Sequence, residues 1–369
     1  MYMAEVPRSH PFVLLLLGVQ YHGHCPSPTT TATITQLDSL LKNSAVHIES
    51  LEQSGPIPSL GRSRVWLTYW TSPTSHDEWW TSAPVQTFWN ALPDNAGVWR
   101  EKLTLPMSRV QLGTNVTFPS GFAHLGKLVP NTTKSGYWGC YRDRIEECTE
   151  TERLESSLGA FPERGVVKGE VRRGRVRMER FPENICVVVE GQDNSAMESE
   201  EREHWMERFD GPARKWIGDV VGAGEEGGVL ASMLCCRPES GLLSGESGKK
   251  EGGFDTLDYN RKVQVLYFLD MGYMERIGKK NRGHVKLRGS FMESYCPAGP
   301  MANGRQLMWV EQGVLKSKDI EAEYIGCYDG TGFMAFEGKP GFVVDEKTGD
   351  DGSWSGYLKN LLGWGKGSA

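Results

Sequence analysis

Hydrophobic and polar positions along this chain change period several times, and each change marks an element. Phe12–Tyr21 is apolar almost without a break. A run of that length with no polar face predicts a strand buried on both sides. Ile34, Leu37, Leu40 and Leu41 recur at helical spacing within 32–41. Residues 64–70 alternate apolar and polar, the mark of a further strand. Ser72-Pro73 then opens a helix that carries Trp79 and Trp80. Phe88 and Trp89 follow, and 98–110 closes this first unit.

The second half repeats the alternation of types. Residues 136–144, 184–190, 230–236 and 263–269 read as strands. Residues 198–221 read as one long helix with Trp205, Phe209 and Trp216 facing inward. The polar stretch 146–158 allows helical turns, and the basic stretch 165–180 predicts a charged hairpin or loop. Residues 241–253, rich in Gly, Ser and Lys, predict a mobile loop. Residues 1–9 predict disorder, 117–130 a linker, and 338–369 a flexible tail in which 357–364 can dock.

One stretch, 267–311, organises the rest. It reads as a strand, a short helix, His284, a basic glycine-rich turn, and a second strand ending at Glu311. Residues 64–89 run the same way: strand, turn, helix, aromatics. This repeat predicts an α+β fold of two ferredoxin-like units, 10–125 and 126–337. Packed sheet against sheet, they would form an α+β barrel with its helices outside.

Composition narrows the function. A net charge of −6 over 369 residues argues against a general grip on nucleic acid. The apolar run near the start is too short to span a bilayer, so no membrane partner is expected. Eight cysteines occur without a Cys-x-x-Cys pair, which argues against structural zinc. Cys140, Cys186, Cys235 and Cys327 sit in apolar runs, as buried thiols do in a reducing compartment, so a cytoplasmic location is expected. The triplets at Asn115 and Asn131 read as chance glycosylation matches, because no signal peptide is evident. No Gly-x-Ser-x-Gly elbow, phosphate loop or dinucleotide fingerprint is present.

His284 lies among Lys279, Lys280, Arg282, Lys286 and Arg288. Two readings are open on the residues alone. One is a surface histidine at a basic helix end, favoured by the negative helix C-terminus. The other is a neutral imidazole ligating a haem iron, with the surrounding cations meeting the propionates. His22 and His24, at strand spacing, are a second candidate metal pair, with no evident third ligand.

A set of blocks gives the second reading its weight. They are Leu17-Gly18-Val19-Gln20-Tyr21, Tyr69-Trp70, Gly136-Tyr137-Trp138-Gly139 with Arg142-Asp143-Arg144, and Asn184-Ile185-Cys186 with Gly191-Gln192-Asp193. His284, Glu323-Tyr324-Ile325 with Cys327, and Thr331-Gly332-Phe333-Met334 complete the set. In this order, from about residue 12 to 334, the chain resembles the aldoxime dehydratases. The resemblance implies a b-type haem (iron) with His284 as its proximal ligand, and an aldoxime as small-molecule substrate. It also implies dehydration to a nitrile, the oxime nitrogen binding ferrous iron, with a distal histidine as acid–base and an arginine and a serine assisting. Three positions depart from that pattern. Val310 stands for the distal histidine, Val189 for the arginine, and Arg237 or a neighbour for the serine. Loss of a general acid alone costs about 10²–10⁴-fold in rate. The resemblance therefore leaves a weakened dehydratase beside a haem-binding sensor or carrier of the same fold, and a homodimer is open to either. No catalytic residue is assignable from the sequence.

Overall fold

The computed structural model describes residues 1–23, 25–54, 60–131, 142–244 and 254–345. In chain order the strands and helices begin with β1 (Tyr2–Glu5), β2 (Phe12–Tyr21), α1 (Pro28–Leu41), β3 (His47–Ser54) and β4 (Arg62–Trp70). α2 (Pro73–Trp80), α3 (Ala83–Asn90), β5 (Val98–Leu105), β6 (Val110–Thr114) and β7 (Lys127–Pro130) follow. Next come β8 (Arg175–Arg180), β9 (Ile185–Asp193), α4 (Ser199–Arg208), α5 (Asp210–Ala223), β10 (Val229–Cys236) and β11 (Arg261–Phe268). The series ends with α6 (Met271–Lys280), α7 (Arg282–Tyr295), β12 (Leu307–Leu315), β13 (Ile320–Ile325) and β14 (Val343–Val344).

The strands form one antiparallel, 14-stranded sheet in the order β14-β8-β13-β5-β2-β4-β3-β10-β11-β9-β12-β6-β1-β7. β2 through β5 run strand, helix, strand, strand, helices, strand, and sit in the order β5-β2-β4-β3. β9 through β12 repeat that connectivity in the order β10-β11-β9-β12. The two runs join at β3 and β10 through Cys235 opposite Gln53 and Cys236 opposite Glu52. Hydrogen bonding ends at β14 on one side and β7 on the other, so the sheet is not closed, in contrast to the expected barrel. These two end strands lie outside both repeated runs and pair with β8 and β1 respectively, not with each other.

The period-two alternation of β2 decides where the core sits. Phe12, Leu14 and Leu16 join a core shared with Val187, Val265 and Trp309 of the other run. Val13, Leu15, Leu17 and Val19 face the opposite way, under α1, α2 and α3. In the inner core Tyr69 donates to Glu311 at 2.8 Å, and Tyr267 and Tyr324 donate to Glu101 at 2.7 and 2.6 Å. The helices therefore lie outside, and the two runs face each other across a core crossed by buried carboxyl groups.

Several local expectations need correction. Tyr2–Glu5 pairs with β6 and β7, so the start of the chain is ordered, and 127–130 is a strand of the sheet. Arg142–Arg144 is a single 3-10 turn, and 136–141 lie outside the described residues. The long helix over 198–221 breaks at Phe209, which caps both α4 and α5. Of the basic stretch, 175–180 becomes β8, paired on both edges. His24, most of the glycine-rich loop and 346–369 fall outside the described residues. No helix among the described residues is long and apolar enough to cross a membrane.

Candidate haem pocket

α5, α6 and α7 pack over the outer face of the second run and enclose a cavity of about 420 Å³. Val188 of β9, Leu266 of β11 and Val310 of β12 form its sheet wall, and Ile217, Leu287 and Phe291 part of its helical wall. The pleat explains this wall. Ile185, Val187 and Val189 of β9 point into the inner core, which turns Val188 and Glu190 outward.

His284 reaches the cavity from the first turn of α7. The basic glycine-rich turn expected after His284 is instead part of α7, and the chain breaks before it at Asn281, whose side chain accepts from His284 N at 2.9 Å and caps α7. The His284 Nδ1 lies 3.0 Å from the Gly278 carbonyl in the last turn of α6. A carbonyl only accepts, so Nδ1 carries the proton and Nε2 keeps its lone pair. Burial, with a smaller contribution from Arg288, lowers the pKa of His284 and favours the neutral ring. Trp216 of α5 stacks on that ring at 3.9 Å and 17°. Orientation by a backbone carbonyl is how ligating histidines are usually fixed.

The rest of the wall suits a flat, largely apolar cofactor with charged edges. His284 is the only histidine on it among the described residues, and no group of three or more His, Cys, Asp or Glu there is placed to hold a bare metal ion. One imidazole in an apolar cavity is the arrangement of an axial haem ligand. Arg142, paired with Glu275 at 3.1 Å, and Arg288 bring cations to the cavity. Lys262 is held by the carbonyls of Leu257 and Tyr259, and burial pushes its pKa down to about 8.

The three substituted positions separate in space. Val310 lines the cavity. Val189 is packed in the inner core. Arg237 lies just past β10 and donates to Glu49 at 2.8 Å, away from the cavity wall. What the cavity holds instead is Glu190, directly opposite Val310 across the β9–β12 pair. Glu190 is half-buried and is part of the cavity lining. Burial raises its pKa to about 7, and a hydrogen bond from Trp216 opposes the shift. Sequence reasoning passed over Glu190; its one signal was a carboxylate ending an otherwise apolar run.

The family model for haem-containing dehydratases matches residues 16–333. The chain belongs to the haem-containing dehydratases. It is 27% identical over 278 residues to the phenylacetaldoxime dehydratase of Bacillus sp. (strain OxB-1), covering 74% of this chain and 73% of that protein. It is 23% identical over 337 residues to the aliphatic aldoxime dehydratase of Rhodococcus globerulus, covering 88% and 87%. A crystal structure of an aldoxime dehydratase in complex with butyraldoxime superposes with a TM-score of 0.71 at 17% identity, covering 90% of this chain and 88% of that one. A second aldoxime dehydratase structure gives 0.70 at 18% identity. At that identity the likeness speaks for the fold, an α+β arrangement with a large antiparallel sheet.

Proposed function

We propose that this chain is a haem-dependent lyase that dehydrates an aldoxime to a nitrile. The observation that carries the reading is His284, its Nδ1 tied to Gly278 and its other nitrogen available at the wall of a large apolar cavity. A b-type haem fits: the sequence has no Cys-x-x-Cys through which a macrocycle could be covalently attached. Arg142, Lys262 and Arg288 would meet its carboxylates. A haem held by these residues would supply a Lewis-acidic iron for the oxime nitrogen.

This chain's own residues then decide how the substrate is held. Val188, Leu266 and Val310 give a wall that accepts an apolar alkyl or aryl group and excludes water from the reacting bond. Burial, helped by Arg288, favours the neutral His284 ring against the opposing effect of the Gly278 hydrogen bond, which fixes the proton on Nδ1. Val310 neither gives nor takes a proton.

The same reading extends to the architecture. The repeated connectivity supports a duplication of a ferredoxin-like unit over 10–125 and 126–337. Buried free thiols at Cys186, Cys235, Cys236 and Cys327 support a reducing, cytoplasmic setting, and assembly as a homodimer is part of the reading. The deciding experiment uses the haem-loaded, reduced protein with phenylacetaldoxime and with butyraldoxime. Nitrile from either is the expected result. A normal haem spectrum with no nitrile above a free-haem control would leave a haem protein without this activity.

A further inference from the structure

Dehydrating an aldoxime needs a proton at the departing hydroxyl and a base for the hydrogen on carbon. An apolar pocket provides neither unless a titratable side chain faces it. Glu190 is an acidic group on the sheet wall of this cavity, paired with Val310 across β9 and β12. Trp216, which stacks on the His284 ring, lines the same cavity.

We propose that Glu190 is the catalytic acid–base residue of this chain. The proposal rests on the dehydratase reading above. The Glu190 carboxyl gives its proton to the oxime hydroxyl oxygen; the N–O bond breaks and its electron pair leaves with water. The carboxylate takes the hydrogen from the aldoxime carbon as a proton, and the C–H pair becomes the third carbon–nitrogen bond. One nitrile and one water form, Glu190 ends as it began, and no net oxidant or reductant is consumed.

The titratable and charged groups that line the cavity besides Glu190 are Lys262 on β11, Glu275 and Lys279 on α6, His284 and Arg288 on α7, and Arg142, Asp143 and Arg153 from the segment before β8. None of them contributes to the displacement of the Glu190 pKa, which burial raises to about 7. A carboxyl group that is still protonated near neutrality has the property this chemistry requires.

The test compares haem-loaded wild type with Glu190→Gln and Glu190→Asp. Two quantities are read: nitrile formation, and the stretching frequency of carbon monoxide bound to the reduced haem across the pH range bracketing neutrality. Glu190→Gln is expected to load haem as the wild type does and to lose about 10²–10⁴-fold in rate. Glu190→Asp keeps the carboxyl and retains part of the rate. The carbon monoxide frequency should titrate near neutral pH in the wild type and become flat in Glu190→Gln. Nitrile formation by Glu190→Gln within about threefold of wild type, while the wild type is active, would overturn this assignment and leave the dehydratase reading standing. A loaded but inactive wild type would overturn both. The frequency in the wild type needs no variant, and its failure to respond to pH would by itself remove Glu190 from the distal side.

Discussion

The Gly278 carbonyl can only accept, and this dictates which nitrogen of His284 faces the cavity. His284→Ala is therefore expected to abolish the haem absorption spectrum of the reconstituted protein while leaving its circular dichroism intact. An unchanged haem spectrum would put the ligand elsewhere. Glu311 makes a different residue-scale case. It accepts from Tyr69 and Trp309 through one oxygen, and from Phe122 N at 3.1 Å through the other. Burial outweighs these donors and raises its pKa to about 7. Between the ordinary carboxyl value near 4.5 and about 7, the unfolded chain has lost this proton and the folded chain has kept it. Stability must therefore fall as pH rises through that window. Glu311→Gln should make the decline of Tm with pH shallower, with Glu190 supplying the remaining slope; an unaltered slope would show that Glu311 does not titrate there.

At the scale of elements, the break between α6 and α7 sets the direction of the ligand. Asn281 caps α7 through His284 N and also donates to Asp219 of α5 at 2.8 Å. Asn281→Ala removes both bonds and should cost about 0.5–2 kcal/mol, together with weaker haem retention on dilution. Full retention would mean that the cap does not position the imidazole. β9 offers a second case. A Cβ at Gly191 would come within 2.0 Å of the Trp309 ring, so this strand needs glycine for close approach to its neighbour. Gly191→Ala should push Trp309 off its place below the Arg261 guanidinium, now 4.9 Å away, and destabilise by about 1–3 kcal/mol. Urea melts with fluorescence detection would measure it.

Across the whole molecule, the seam between the two runs is narrow in backbone pairing and strong in side chains. Glu49 of β3 accepts from Arg261 of β11 at 2.6 and 2.7 Å, and Arg237 adds a third bond. Hydrogen bonds and nearby guanidinium charges overcome burial and hold the Glu49 carboxyl at about 2. Its contribution is thus present above the ordinary carboxyl value and disappears as pH falls toward 2. Glu49→Ala leaves Arg261 buried with only Asp193 opposite, at 3.0 Å, and should cost about 3–5 kcal/mol. A loss below about 1 kcal/mol would mean that the seam relaxes around the change. Arg237 thereby takes a structural place in the seam rather than a role in the pocket.

The period of the apolar residues was enough to place β2, β4, β11 and α1, because burial on one or two faces leaves a repeat that composition alone does not blur. The ordered blocks likewise pointed to the haem-containing dehydratases, and the cluster around His284 was visible as a cluster. Side-chain direction was not. Whether Val189 or Glu190 meets the cavity depends on which face of β9 the helices cover, and the two answers differ by one residue of register. The proton on His284 depends on a carbonyl six residues earlier, brought to it only when α6 ends and α7 turns away. The seam joins side chains 212 residues apart in the chain. Local pattern determines which segments become strands and helices; only packing decides which atoms share a cavity, because that choice is made by contacts that no short stretch of the chain contains.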